Sequence, residues 1–250
     1  MDCIPTIKPS WPAIANLHAF TTLRHGGFSE GDYASLNLGD HVGDCARTVL
    51  LNRELVYKQV RQSDAHAQPL TWLTQVHGID VSAVDVDQPN TTADAAISHS
   101  GHHVCTIMTG DCLPVLIAAK DGTAVAAVHA GWKGLADGVI ESALSSIPTT
   151  DIQIWLGPCI GIDHFEVGPE VVEHFPHDSN NSDCFVKGVA DRWQASLAEL
   201  ARARLARLGI SDVYGGEFCT YSDPRFFSHR QAVHAGGVTG RFASVIWLSK

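Results

Sequence analysis

The sequence predicts an α+β or layered α/β domain, with a β-sheet core flanked by helices. Strand-like apolar runs crowd the middle of the chain, and Asp121-Gly122 between two of them is typical of a two-residue hairpin. Segments with helical spacing of apolar residues precede and follow this region. A regular βαβ repeat and a GxGxxG fingerprint are absent from the sequence, which argues against a Rossmann domain.

The elements of the first half follow from periodicity and turn signals. Residues 20–31 turn at Gly26-Gly27, and residues 35–39 form an extended piece. A helix is predicted from about Asp44 as its N-cap, continuing through Val49, Leu51, Leu55 and Val56. Strands are predicted over residues 70–76, 81–86, 104–108, 115–119 and 123–129.

In the second half, helices alternate with short strands. A buried strand over residues 152–156 is stopped by Gly157-Pro158, and residues 243–248 form a closing strand. A helix that ends before Pro148 is predicted from one shared face: Leu135, Val139, Ala143, Leu144 and Ile147. An amphipathic helix over residues 190–208, ending at Gly209, is predicted with these residues inward: Trp193, Leu197, Leu200, Ala201, Leu205 and Leu208.

Composition limits the classes of function. The 250 residues suffice for one large domain or two small ones, and no linker, repeat or low-complexity tract divides them. Apolar residues make up 45% and charged residues 18%, which is typical of a globular protein. The net charge of −10, without a Lys/Arg block, predicts no nucleic-acid partner. An anionic substrate would therefore need a few placed cationic side chains.

The sequence also predicts a cytoplasmic location. The N-terminal residues contain no charged segment followed by an apolar one, so no signal peptide is predicted, and no apolar run has the length of a membrane span. Seven cysteines, scattered and odd in number, fit reduced thiols. No membrane partner is expected.

Three side chains that can bind a metal stand beside glycine or proline at the ends of apolar runs: His77, Cys112 and His129. Two imidazoles and a thiolate suit zinc, and three protein ligands leave the open position of a catalytic site. Their spacings of 35 and 17 residues are not those of a zinc finger. The alternative is structural, because a buried cysteine is often a small apolar residue and a buried histidine is often only hydrogen-bonded. The nearby glycines Gly110 and Gly131 favour the metal site.

Several other polar residues are candidates for binding or support. Arg24, in Arg24-His25-Gly26-Gly27, is either a bidentate anion clamp or an exposed residue of an ordinary turn. Lys133 lies at a strand-to-helix junction that favours anions, and Arg230 lies beside aromatics in a lid or a substrate pocket. Gln75 is a candidate to hydrogen-bond a ligand in the same pocket. Asp94 is either an N-cap or a carboxylate that orients a histidine ligand, and Asp111 either orients a metal-bound water or stabilises a turn.

Taken together, these motifs resemble the YfiH/YlmD family, the so-called laccase-domain or polyphenol-oxidase proteins. The resemblance covers nearly the whole chain, in order. It rests on these segments: Arg24-His25-Gly26-Gly27, Ser35-Leu36-Asn37-Leu38-Gly39, Thr74-Gln75-Val76-His77-Gly78, Ala93-Asp94-Ala95, Gly110-Asp111-Cys112-Leu113-Pro114, His129-Ala130-Gly131-Trp132-Lys133-Gly134, Gly157-Pro158-Cys159-Ile160-Gly161, Phe165-Glu166-Val167-Gly168 and Phe226-Phe227-Ser228-His229-Arg230.

The resemblance implies a single α+β catalytic domain over residues 1–250, a layered mixed β-sheet core similar to the catalytic domain of cytotoxic necrotizing factor. It implies a metal triad at His77, Cys112 and His129, which are also the catalytic residues, holding zinc, with copper as the alternative metal. The implied activity is phosphorolysis of purine nucleosides (adenosine, inosine and methylthioadenosine), with adenosine deamination alongside. The expected partners are a purine nucleoside and phosphate, and the expected state is a monomer or small homo-oligomer.

The substrate-binding residues that the resemblance implies are these: Arg24, Asn37, Gln75, Lys133 and Arg230. The sequence departs from the family pattern at two points. Thr22-Leu23 precedes Arg24 where a second small polar residue is usual, and Lys133 replaces the usual arginine of the Gly-Trp-Arg-Gly motif. Lysine keeps the charge but loses bidentate geometry, so Lys133 is expected to be the weaker anion ligand.

Three other functions remain open at this stage. A copper-dependent polyphenol oxidase needs clustered histidine pairs and a His₂Cys site with an axial ligand, but the chain has one adjacent pair, His102-His103, and two methionines. A Cys112–His129 hydrolase acting on cell-wall precursors or amides would need no metal. A binding protein with structural zinc would unfold without it.

Overall fold

The computed structural model of the protein describes residues 3–175 and 184–250. In these residues the strands are β1 (Thr6–Ile7), β2 (Leu17–Thr22), β3 (Val81–Ala83), β4 (Ala95–Ser98), β5 (Cys105–Thr109), β6 (Leu113–Ala119), β7 (Val125–Ala130), β8 (Ile152–Leu156), β9 (Glu166–Val167), β10 (Phe185–Lys187), β11 (Trp193–Ala195), β12 (Val213–Gly215) and β13 (Phe242–Leu248). The α-helices are α1 (Ala46–Ser63), α2 (Trp132–Asp137), α3 (Val139–Ser145), α4 (Pro169–Val172), α5 (Leu197–Arg207) and α6 (His229–His234).

Two mixed or antiparallel sheets form the centre of the fold. In the described part of the chain, the larger sheet has the order β12-β8-β6-β7-β4-β3, with β12–β8 and β3–β4 parallel and its other pairs antiparallel. The second sheet has the order β1-β2-β13-β5 and is antiparallel. A third, small sheet has the order β10-β11-β9 and shares no strand with the other two. The predicted α+β class is confirmed.

The core is layered because successive side chains of a strand face opposite sides of its sheet. On β6, Val115 and Ile117 pack with the buried faces of α2, α3 and α5, whereas Leu116 and Ala118 pack against the second sheet. On β13, Ile246 faces the larger sheet, and its neighbours Val245 and Trp247 pack against α1. The order of layers is therefore helices, larger sheet, second sheet, α1.

All three predicted helices differ from the structure in their bounds or in the residues that face inward. The helix predicted over residues 190–208 begins only at Leu197, because Ser196 accepts a hydrogen bond from the Glu199 N–H as its N-cap. Trp193 belongs instead to β11, which pairs with β9 and β10. Leu208 is 48% exposed, and Gly209 follows it with a φ of +76°, as predicted for the helix stop.

The helix predicted up to Pro148 is divided. Gly138 has a φ of +101° and separates α2 from α3, although Leu135, Val139 and Ala143 are all fully buried. In α1 the N-cap is Cys45 rather than Asp44, and Leu51 is exposed. The face of α1 that packs inward carries Val49, Asn52, Val56 and Val60.

The strand predicted over residues 70–76 is absent; only Thr74 makes an isolated bridge, to Thr92. The side chain of Gln75 takes the place of a strand at the free edge of β5, because its amide donates to the carbonyl of Met108 and accepts from the same residue's N–H, each at 2.7 Å. In the two central sheets, strands β1, β2, β4 and β12 were not predicted. No helix in the described residues is both long and apolar enough to cross a lipid bilayer.

Candidate metal centre and cavity

His77 lies on a loop that is fastened to a buried carboxylate. The carboxylate of Asp94 accepts hydrogen bonds from the backbone N–H groups of Val76, His77 and Gly78 at 3.2, 2.9 and 2.7 Å. His77 has a φ of +60°, a backbone conformation that is uncommon for a residue with a side chain. The three hydrogen bonds to Asp94 hold the loop in this conformation and place the imidazole.

Cys112 and His129 are placed by neighbouring strands of the larger sheet. Cys112 immediately precedes β6, and His129 lies on β7 opposite Pro114 of β6. His129 is buried, and its backbone N–H donates to the carbonyl of Asp94 at 2.7 Å. The pairing of β6 with β7 thus brings the thiol and the second imidazole to one end of the sheet, beside the Asp94 loop.

The three side chains converge. One ligand-capable atom from each of His77, Cys112 and His129 lies within 4.8 Å of the others. The Cys112 Sγ atom is 3.7 Å from His77 Nε2, and the two imidazole centroids are 4.7 Å apart. Tetrahedral zinc with ordinary Zn–N and Zn–S bonds separates its ligand atoms by about 3.3–3.6 Å, so this donor set fits zinc with little movement.

Glycine is required beside the donor set. A Cβ atom on Gly131 would lie 2.8 Å from His77 Cδ2 and 3.1 Å from Cys112 Sγ. A Cβ atom on Gly134 would lie 2.8 Å from the carbonyl oxygen of Gly78. The glycines of this motif therefore let the start of α2 pack directly against the histidine loop.

Asp94 also orients His129. The Nδ1–H of His129 donates to Asp94 Oδ1 at 2.8 Å, which leaves Nε2 as the nitrogen that faces the other two donors. The fully buried carboxylate is desolvated, which acts to raise its pKa, but the hydrogen bonds from His129, Gly78 and Val76 outweigh this and lower the pKa of Asp94. Asp94 is thus an ionised anchor for both histidines of the site.

Cys112 and His129 favour the charged form of each other, a thiolate beside an imidazolium. Burial acts to raise the pKa of Cys112, but His129 and His77 outweigh it and lower the pKa to about 6. Burial acts to lower the pKa of His129, but Cys112 and Asp94 raise it to about 9. The site therefore offers a thiolate at neutral pH, the form of cysteine that binds metals.

We expect metal-free protein to be alkylated at Cys112 by iodoacetamide with a rate that rises through a midpoint near pH 6, because the thiolate forms above the thiol's pKa. Peptide mass spectrometry after short pulses at graded pH gives the midpoint, and added zinc should protect the residue. A midpoint near the ordinary value of 9 would contradict the expectation.

A cavity of about 340 Å³ opens over the donor set. Its apolar walls include Trp132, Ile160 and Phe165, and its polar wall includes guanidinium and imidazole groups. The lining residues are His41, Gln75, His77, Met108, Thr109, Gly110, Asp111, Cys112, His129, Trp132, Ile160, Phe165, His229, Arg230 and Arg241. Its size is within the range of small-molecule sites.

Two of the sequence-predicted binding residues line this cavity. Gln75 does so with both ends of its amide bonded to Met108. Arg230 does so with Nη1 donating to the carbonyls of His164 and Glu166. Asp111 helps to place Arg230, because its carboxylate accepts from the Arg230 backbone N–H at 2.6 Å.

The other three predicted binding residues are not among the residues that line the cavity. Arg24 stacks on Phe227 and donates to the carbonyl of Ala34. Asn37 is fully buried, with its amide bonded to protein groups. Lys133 lies in the first turn of α2 and is exposed.

Three further polar residues that line the cavity were not identified as candidates from the sequence: Arg241, His41 and His229. Arg241 carried a usable signal, a lone cation between Gly240 and a seven-residue apolar strand, where no charge is needed for the fold. His229 was within a quoted motif but was not singled out.

This fold and site define a mixed α+β protein with a His–Cys–His donor set inside a cavity that also holds arginine. The profile of a family described as multi-copper polyphenol oxidoreductase laccase matches residues 18–249. A purine nucleoside phosphorylase of Pseudomonas aeruginosa is 43% identical over 247 residues, covering 97% of this chain and 98% of the relative. The purine nucleoside phosphorylase YfiH of Escherichia coli K12 is 42% identical over 247 residues, with the same coverage of 97% and 98%.

Solved structures are similar over the full length. The Neisseria meningitidis protein NMB0706 superimposes with a TM-score of 0.89 at 40% identity, covering 100% of both chains. YlmD from Geobacillus stearothermophilus superimposes with a TM-score of 0.83 at 27% identity, again covering 100% of both. The chain belongs to the YfiH/YlmD family, as its motifs implied.

Proposed function

We propose that the protein is a zinc-dependent purine nucleoside phosphorylase that also deaminates adenosine. The observation that carries the proposal is the single cavity in which the His77–Cys112–His129 donor set and arginine side chains face the same space. Relatives that carry the name purine nucleoside phosphorylase, at 40–43% identity over nearly the whole chain, support it. Its substrates would be inosine, adenosine and methylthioadenosine, together with phosphate.

Phosphorolysis breaks the bond between the purine nitrogen and ribose C1′ as a phosphate oxygen bonds to C1′, and the bonding electrons leave with the base. The chain must therefore bind a purine, hold an anion and exclude water. Trp132 and Phe165 offer aromatic surface for the base, and cationic side chains on the polar wall offer donors for phosphate. Zinc held by the three donors would supply Lewis acidity, which also suits deamination.

Given inosine and phosphate, the zinc-replete protein is expected to release hypoxanthine and ribose 1-phosphate. Given adenosine, it should release adenine with phosphate and form some inosine without phosphate. Chromatography of the reaction mixture measures all four products. A lack of free base above a no-enzyme control would contradict the phosphorylase proposal, and a lack of inosine would contradict only the deaminase part. A His129→Ala variant, which loses a donor, should lose both activities.

A second candidate is a thiol hydrolase, which the lowered pKa of Cys112 and the Asp94–His129 hydrogen bond favour. Activity that survives complete zinc removal but is lost on alkylation of Cys112 would support it over the phosphorylase. The copper oxidase suggested by the family's description is less suited to this chain: in the described residues one group of His, Cys, Asp or Glu is arranged for a metal, whereas several coppers need several such groups.

A further inference from the structure

Phosphate bound in the cavity needs a cationic hydrogen-bond donor on the cavity wall. Arg241 lies on that wall, at the residue before β13. Both backbone polar groups of Arg241 are hydrogen-bonded: its N–H donates to Asn37 Oδ1 at 2.8 Å, and its carbonyl accepts from the Leu38 N–H at 2.9 Å. The buried Asn37 side chain thus fixes the backbone of Arg241.

Two glycines from separate motifs make room for the Arg241 side chain. A Cβ atom on Gly39 would lie 2.9 Å from Arg241 Cγ. A Cβ atom on Gly110 would lie 3.2 Å from Arg241 Cδ and 3.4 Å from Nη1. The segments Asn37-Leu38-Gly39 and Gly110-Asp111-Cys112 therefore form a channel that directs this guanidinium into the cavity.

The guanidinium has unused donors. Its Nη1 group donates to the carbonyls of Thr239 and Gly240, at 3.4 and 3.0 Å, and the described residues provide no protein acceptor for Nε or Nη2. Arg53 and Arg225 each have a carboxylate within ion-pair distance, but among the described residues Arg241 has none. Burial lowers the pKa of Arg241, with Cys112 and Asp111 opposing this. A partly buried cation without an ion-pair partner is costly unless a ligand neutralises it.

The nearby carboxylate of Asp111 makes its hydrogen bonds elsewhere, and the second arginine of the cavity, Arg230, is held by other groups. Both oxygens of the Asp111 carboxylate are engaged, one by the Thr220 hydroxyl at 2.6 Å and the other by the Arg230 backbone N–H. Arg230 itself already donates Nη1 to two carbonyls and lies over the ring of Phe165. Arg230 has as many free donors as Arg241, so position distinguishes the two: the Arg241 side chain packs against Gly110, two residues from Cys112, whereas the Arg230 guanidinium lies over Phe165.

We propose that Arg241 is the principal phosphate ligand of the protein, held in place by Asn37 and by the space at Gly39 and Gly110. This rests on the proposed phosphorylase function and names the residue that binds its second substrate. The planar fork of donors matches two oxygens of a tetrahedral anion, so phosphate is bound on the cavity wall near the donor set. Arg24, which stacks on Phe227 outside the lining, does not contact it.

The test measures phosphate binding directly, with inorganic phosphate titrated into zinc-replete protein at constant ionic strength by calorimetry and thermal shift. The variants are Arg241→Gln, Arg241→Lys and Arg24→Ala, with Arg61→Gln on the exposed surface of α1 as the control for loss of one charge. We expect Arg241→Gln to weaken phosphate binding by about tenfold to a hundredfold, and Arg241→Lys to weaken it less because it keeps the charge. Arg24→Ala and Arg61→Gln should bind as wild type does.

Kinetics give the second readout. In Arg241→Gln the KM for phosphate should rise by the same factor while the KM for inosine changes by less than about threefold, a split that general misfolding does not produce. Equal phosphate binding in Arg241→Gln and wild type, no binding in wild type, or loss confined to Arg24→Ala would overturn the proposal. If wild-type protein binds phosphate through Arg241 but releases no base from nucleosides, the phosphorylase function fails and the anion site stands.

Discussion

Replacing Cys112 with serine is expected to abolish both zinc retention and turnover. A serine hydroxyl does not ionise at neutral pH, whereas the thiol of Cys112 has its pKa lowered to about 6 by the neighbouring histidines. The change therefore removes the anionic member of a three-residue donor set and leaves two imidazoles, too few for a stable zinc site. Metal analysis of the purified protein should fall from about one zinc per chain in wild type to near none.

The control for this variant is Cys45→Ser, which alters an exposed cysteine at the N-cap of α1, a position where serine is favourable. It should keep its zinc and its activity. One equivalent of zinc in Cys112→Ser would show that the three side chains do not form the metal site. Loss of turnover with zinc retained would instead assign Cys112 a role in the chemistry alone.

The second large effect is expected from Asp94→Asn. The carboxylate accepts four hydrogen bonds, from three backbone N–H groups of the His77 loop and from His129 Nδ1. An asparagine offers one acceptor oxygen and turns an NH₂ group toward donors, so the loop and the imidazole lose their anchor. We expect zinc affinity to fall by about 10- to 100-fold, as for other groups that orient a metal ligand.

Asp94→Asn should also lower the free energy of unfolding of the metal-free protein by a few kcal/mol, at about 1–3 kcal/mol for each buried donor left unpaired. Chelator competition measures the zinc affinity, and urea denaturation without metal separates folding from metal binding. The exposed Asp87→Asn is the matched control. Equal zinc affinity in the Asp94 variant and this control would refute the orienting role.

The pH dependence of stability has a definite sign. Because the pKa of Asp94 is lowered in the folded protein, its contribution to stability is present above the unfolded-state pKa of about 4 and is lost as the pH falls through the lowered folded value. The difference in unfolding free energy between wild type and Asp94→Asn should therefore shrink on acidification below about pH 4. A constant difference would mean that the carboxylate is not ionised in the fold.

Local patterns predicted the central strands well and the irregular segments poorly. The apolar runs that became β5, β6, β7 and β8 are continuous and bounded by turn residues, so the sequence alone locates them. Residues 70–76 have the same apolar character, but there a glutamine side chain replaces backbone pairing, which periodicity does not reveal. Trp193 fitted a helical face and yet lies in β11, because Ser196 caps the helix three residues later.

In the candidate site, the sequence identified the metal-binding side chains but not which cations line the cavity. Residue type and glycine context alone singled out His77, Cys112 and His129, since imidazole and thiolate beside glycine are chemically distinctive wherever the chain places them. Cation placement depends on distant contacts. Arg241 lines the cavity because Asn37, 204 residues away in sequence, binds its N–H. Arg24 lies outside the cavity lining because it stacks on Phe227. Side-chain chemistry is thus a property of the sequence, but which charges share a cavity is decided by tertiary packing, because hydrogen bonds and steric gaps between remote segments set the direction of each long side chain.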